Sequence, residues 1–165
     1  MEFDIDLMSH KILALYGEPD SGKTQLALRL AVISERPIVY LDCACALSKR
    51  DLACAGIPAS QLFLRLRPEH IEDATVVVLR CLNEIPSAIL IIDPLTALRP
   101  QAYEIGGKKG ALRAQVAFLN NVLASIFTTD TKMILVDHGF ADGAPPVVTL
   151  FADYSRKVTA ADYPR

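Results

Sequence analysis

Eight residues, Gly17-Glu18-Pro19-Asp20-Ser21-Gly22-Lys23-Thr24, stand between an apolar stretch at 11–16 and a helix-periodic stretch at 23–34. They fit G-x-x-x-x-G-K-[ST] at every fixed position, and a strand before and a helix after are the context that pattern needs. Gly17 and Gly22 tolerate backbone dihedrals that other residues resist, so the loop's N–H groups can turn inward. The helix that follows aims its positive end at the same point. The expected occupant is therefore an anion such as a phosphate. Lys23 adds a point charge, and the Thr24 hydroxyl suits Mg2+, an octahedral ion that takes few protein ligands. Gln25 continues the first helical turn.

A strand leading into a tight turn and then a helix predicts an α/β fold, and the rest of the chain repeats the alternation. Further strands are predicted at 37–42, 61–66, 88–93 and 132–136, several apolar almost throughout, as strands covered on both faces should be. They predict a mostly parallel central sheet with helices on both faces. Further helices are predicted at 49–55, 69–84 and 110–127, the last with Leu112, Val116, Leu119, Leu123 and Phe127 on one stripe. After the Gly143-Ala144-Pro145-Pro146 turn, apolar runs at 147–151 and 154–159 read as a hairpin-like edge. At 165 residues the chain is one domain, 1–165.

Composition narrows the function classes. The chain is 52% hydrophobic and 22% charged, with a mean hydropathy of +0.29, which excludes a disordered chain and predicts a large core. The longest apolar run, residues 88–92, ends at Asp93, so no membrane span and no signal peptide are expected. A net charge of −2 argues against a generally basic nucleic-acid binder and leaves room for a local basic patch. Cys43, Cys45, Cys54 and Cys81 lack paired C-x-x-C spacing, and no histidine is close to them in sequence. They read as small, buried, reduced residues of a cytoplasmic protein.

A second motif is the apolar strand 88–92 ending in Asp93, a carboxylate delivered to Mg2+ or its water shell. Alone, such an aspartate is more often a turn or cap residue. Beside the loop at 17–24, it gains a partner.

These residues together resemble the RecA/RadA-like recombinase ATPases, a P-loop NTPase family. Asp93-Pro94-Leu95-Thr96-Ala97-Leu98-Arg99-Pro100 is similar to the family's second nucleotide motif and its continuation, and 41–47 to the segment after the preceding strand. Residues 110–126, with Arg113 and Gln115 near the start, are similar to the long helix before the family's sensor strand. The resemblance runs over about residues 10–160. It implies a RecA-like core that binds ATP and Mg2+ between protomers and acts on DNA strands in recombination or repair. Gly17, Glu18, Pro19, Asp20, Ser21, Gly22, Lys23, Thr24 and Gln25 would bind nucleotide; Thr24 and Asp93 would hold Mg2+; Lys23 and Asp93 would carry catalysis.

Three departures qualify the resemblance. The family's glutamate that orients the attacking water falls at Ala44, and no general base is found in its place. The family's polar amide at the end of the sensor strand falls on Val136-Asp137-His138-Gly139, where His138 is the sensor candidate, or else a solvated histidine. The aromatic adenine platform is not evident in Ser48-Lys49-Arg50-Asp51, which leaves base specificity open.

The family's two DNA-contacting loops correspond to about 103–110 and 139–146. The first carries Lys108 and Lys109, with Arg113 one turn beyond, and cations on a mobile loop suit single-stranded DNA phosphates. The second bears Asp142 and no Lys or Arg, and looks poor for DNA. At the amino end, Phe3, Ile5 and Leu7 would share one face if residues 1–10 were extended. Such a strand could add to the sheet of a second copy or a RecA-like partner, or form an edge or frayed end of its own protomer. Three readings stay open. The leading one is an accessory or regulatory paralog with weak or no hydrolysis. The others are an active DNA-dependent ATPase, as recombinase or motor, and a P-loop protein in a signalling or small-molecule role without DNA.

Overall fold

In the computed structural model, residues 5–139 and 146–159 are described. Six strands form one all-parallel sheet: β1 (Ile12–Gly17), β2 (Ile38–Asp42), β3 (Phe63–Leu66), β4 (Ile89–Asp93), β5 (Lys132–His138) and β6 (Tyr154–Lys157). Their order across the sheet is β3-β2-β4-β5-β1-β6. Four helices connect them: α1 (Lys23–Ile33), α2 (Lys49–Ala55), α3 (Ile71–Glu84) and α4 (Tyr103–Thr128).

The central strands are apolar on both faces because each face meets helices. On one side Leu13, Leu15, Tyr40, Ile91 and Ile134 pack against Leu26, Leu28 and Ala31 of α1 and Ala55 of α2. On the other, Ala14, Leu41, Ile92 and Leu135 pack against Val78 and Leu82 of α3 and Phe118, Val122 and Ile126 of α4. A parallel sheet gathers its carboxyl ends on one edge, so Gly17, Asp42, Asp93 and His138 all open on the same side of the molecule. No helix among the described residues is long and apolar enough to cross a membrane.

Several expectations are corrected. The tail forms no hairpin: Val147–Leu150 is a 3-10 turn, and β6 runs parallel to β1, with Leu13 opposite Tyr154 and Tyr16 opposite Lys157. The Asp153 carboxylate secures its start by accepting from the Lys11 and Ile12 N–H groups at 2.9 and 3.0 Å. The stripe expected on the last helix is turned by one position. Leu112 and Phe127 are exposed, while Ala111, Gln115, Phe118, Leu119, Val122 and Ile126 are buried. The buried face contains a glutamine because its Nε2 donates to the carbonyls of Leu98 at 2.9 Å and Leu95 at 3.3 Å, fastening α4 to the segment after β4.

Residues 7–9 form a 3-10 turn capped by Asp6, and Ile5 and Leu7 are buried in this chain's own core on the α1 side. They are therefore not available to a neighbouring sheet, and residues 1–4 lie outside the described ones. Cys45 and Cys54 are exposed and Cys43 and Cys81 half-buried, because a turn and two helices, not the sheet, carry them. The expected loop at 103–110 belongs to α4, which departs from helical geometry at Gly107 (φ 55°, ψ −155°).

Candidate functional site

The end of β1, the loop and α1 are fixed by backbone conformation. Gly17, Asp20 and Gly22 all have positive φ, at 154°, 58° and 91°. Gly22 is the residue before α1 and supplies no side-chain cap, and the first turn of α1 carries no acid. The positive end of this 11-residue helix is therefore offset by no capping side chain and no acid of its own first turn.

Lys23 is buried, and its Nζ donates to the carbonyls of Gly17 at 3.0 Å and Glu18 at 2.5 Å and to Ser21 Oγ at 3.3 Å. Burial pushes this ammonium below its ordinary value, against the nearby carboxylates, Asp93 foremost. The Gly17 carbonyl also accepts from the Gly139 N–H at 3.2 Å, which ties the loop to the end of β5.

Asp93 stands at the end of β4, only 8% exposed. Its Oδ2 accepts from Thr24 Oγ1 at 2.6 Å and from the Tyr40 hydroxyl at 2.5 Å. Burial pushes the carboxyl above the ordinary range, against those two bonds and the charge of Lys23. The donor set fits Mg2+. A hydroxyl that gives its one proton to Asp93 keeps both lone pairs for a hard cation, and a carboxylate and a hydroxyl are the oxygen ligands such an ion takes. Among the described residues, no group of three or more His, Cys, Asp or Glu stands where it could hold a metal ion, so a cation here would have few protein ligands.

Two further acids at the strand ends, Asp42 and Asp137, are committed. Asp42 is held by Arg65, whose Nε donates to Oδ2 at 2.9 Å and whose other nitrogen reaches both Asp42 and the Leu47 carbonyl. Asp42 also accepts from the Ala46 and Leu47 N–H groups at 3.0 and 3.3 Å. This pins the turn after β2 on which Ala44 is exposed. Burial pushes the Cys43 thiol up, so it stays protonated at neutral pH and is no base.

Asp137, 2% exposed, accepts from Thr96 Oγ1 at 2.5 Å and from the His138 N–H at 2.8 Å. Burial pushes it above the ordinary carboxylate range. The folded chain thus holds this proton more tightly than the unfolded chain, and Asp137 contributes most stability at low pH, losing it as pH rises through the folded value. Asp137→Asn is accordingly expected to melt progressively higher than the parent as pH is raised from 4 to 8. Parallel melting curves across that range would remove this account.

β5 lies between β1 and β4, with Gly17 opposite His138 in register. His138 is exposed beside the start of the 17–24 loop. Gln25 turns away from the loop, its Nε2 donating to Asp51 Oδ1 at 2.9 Å. Ser48 and Asp51 form a reciprocal cap at the start of α2. Lys108, Lys109 and Arg113 are exposed on α4 just after the break at Gly107, on a helix and not on a loop. Of the second expected loop, residues 140–145 lie outside the described ones.

Sequence reasoning passed over Tyr40, Thr96 and Asp137. The available signal was one hydroxyl-bearing aromatic two residues before a strand-end acid, since a period of two puts alternate residues on one face. No protein-family model matches the chain, and no curated protein matches it.

Proposed function

We propose that this chain binds a nucleoside triphosphate with Mg2+, ATP on the RecA-like reading, and uses it chiefly as a conformational switch in an accessory role in DNA recombination or repair. The observation that carries the reading is the contact of Thr24 with Asp93 at 2.6 Å, which joins the start of α1 to the end of β4 next to the buried ammonium of Lys23. Loop N–H groups and the α1 terminus would receive the phosphates, with Lys23 exchanging its carbonyl partners for phosphate oxygens. Thr24 and Asp93 would hold Mg2+, which would supply positive charge against the phosphates. Placement of β5 between β1 and β4 supports the sensor role of His138, because the end of that strand stands over the loop.

Weak or absent turnover is favoured by the state of the acids. Position 44 carries a methyl group, Asp42 is bound to Arg65 and two N–H groups, and Asp137 is shielded from water. Neither Asp42 nor Asp137 is free to activate a water. The DNA role rests on the family resemblance and on the exposed Lys108, Lys109 and Arg113.

The test is ATP turnover against a Lys23→Ala control, with and without single-stranded DNA. ATP·Mg2+ binding with turnover no faster than the control is expected. DNA-stimulated turnover above the control would transfer the protein to the working ATPases. Single-stranded DNA binding should flatten with salt in Lys108→Ala/Lys109→Ala, the slope of log K against log salt falling by about 1.4 at about 0.7 per phosphate contact. Nucleotide binding with no DNA binding would favour the signalling or small-molecule role.

A further inference from the structure

We infer that Tyr40 is a positioning residue for Asp93 that makes Mg2+-dependent nucleotide binding possible; the inference rests on the nucleotide reading above. Tyr40 pairs with Ile91 across β2 and β4, two residues before Asp93, so its ring and the Asp93 carboxylate share the α1 face of the sheet. The ring is 1% exposed and sits 6.2 Å from that of Phe63 at a tilt of 37°. Packing alone would be served by phenylalanine. The hydroxyl is the part that needs an account, because a buried hydroxyl is costly unless it is paired.

Its partner is the oxygen that Thr24 also uses. Two O–H donors converge on Oδ2 of Asp93, at 2.5 and 2.6 Å, from different elements. A carboxylate oxygen has about two lone-pair sites, so Oδ2 is saturated and the plane of the carboxylate is fixed. Oδ1, which accepts from neither, is the oxygen left to a cation or its water shell. Thr24 would serve the cation and Asp93 at once, whereas the Tyr40 hydroxyl donates to Asp93 from the sheet. Tyr40 is carried by β2 and not by the loop. Its phenol stays protonated, since burial and the adjacent Asp93 push it well above its ordinary value.

The experiment measures mant-ATP binding by fluorescence, in Mg2+ and in EDTA, for the parent, Tyr40→Phe, Asp93→Asn and the double variant, with melting curves to establish folding. The parent should bind more tightly in Mg2+ than in EDTA. Tyr40→Phe should lose about tenfold of that gain, the scale of one hydrogen bond to a charged group, while its affinity in EDTA stays unchanged. On the Asp93→Asn background the tyrosine should cost nothing further, since its partner's charge is gone. An undiminished Mg2+ gain in Tyr40→Phe overturns the assignment. So does an equal loss with and without Mg2+, which marks a purely structural tyrosine. A parent that binds no mant-ATP in either condition instead removes the nucleotide reading, and this assignment with it.

Discussion

Lys23→Ala is expected to weaken nucleotide binding by about 10- to 150-fold while leaving the fold in place. Hydrogen bonds to a charged group contribute about 1.5–3 kcal/mol, and each 1.4 kcal/mol is a factor of ten. The fold should persist because the Gly17 carbonyl, one of the three acceptors that Lys23 uses, keeps its bond from the Gly139 N–H. Titration with mant-ATP in Mg2+, beside a thermal melt, separates the two effects. Unchanged affinity in a folded variant would mean that no phosphate lies against this loop, and the proposed function would fall.

The second large effect is on stability. At Gly17, whose φ is 154°, a Cβ would meet the Val158 carbonyl oxygen at 2.2 Å. That oxygen belongs to backbone just beyond β6, positioned by the bond from the Val158 N–H to the Tyr16 carbonyl at 2.7 Å. It cannot retreat without unpairing the end of β6 from β1. Gly17→Ala therefore combines an unfavourable dihedral with overpacking, and a loss of about 3 kcal/mol follows from terms of about 1–3 kcal/mol each. For a chain of this size that is a melting temperature lower by about 6–12 °C. A shift under about 2 °C, on the same scale, would show that β6 is not held against β1 as described. The first glycine of the loop thus has a packing duty of its own, independent of any ligand.

The parts of the fold that were legible in the sequence share a physical reason. A motif with fixed spacing located the end of β1 and the start of α1. Strands covered on both faces announce themselves as apolar runs, so β2, β4 and β5 were found to within two residues. The missed parts concern residues whose type conceals their surroundings. Gln115 is polar and buried, so the burying face of α4 was placed one position away. β6 is short and exposed along most of its length, and the two prolines before it suggested a reversal where the chain instead crosses to a parallel neighbour. In the site, Tyr40 was counted as one more apolar strand residue. The bond from Arg65 to Asp42 joins residues 23 positions apart on neighbouring strands, and no local pattern reveals it. The glycines around Lys108 and Lys109 have the composition of a loop and conceal the helical continuation to Thr128.

The turn after β2 has a bearing on how this site can change. Asp42 and Arg65 hold it through backbone groups of Ala46 and Leu47, and the Cys43 and Cys45 N–H groups bond to the Asp93 and Asp42 carbonyls, so none of these restraints passes through the side chain at position 44. Ala44 is exposed, so a carboxylate introduced there would displace none of these bonds. On the proposed reading, the position where the resembled family carries its water-orienting glutamate is one whose support stands without that side chain.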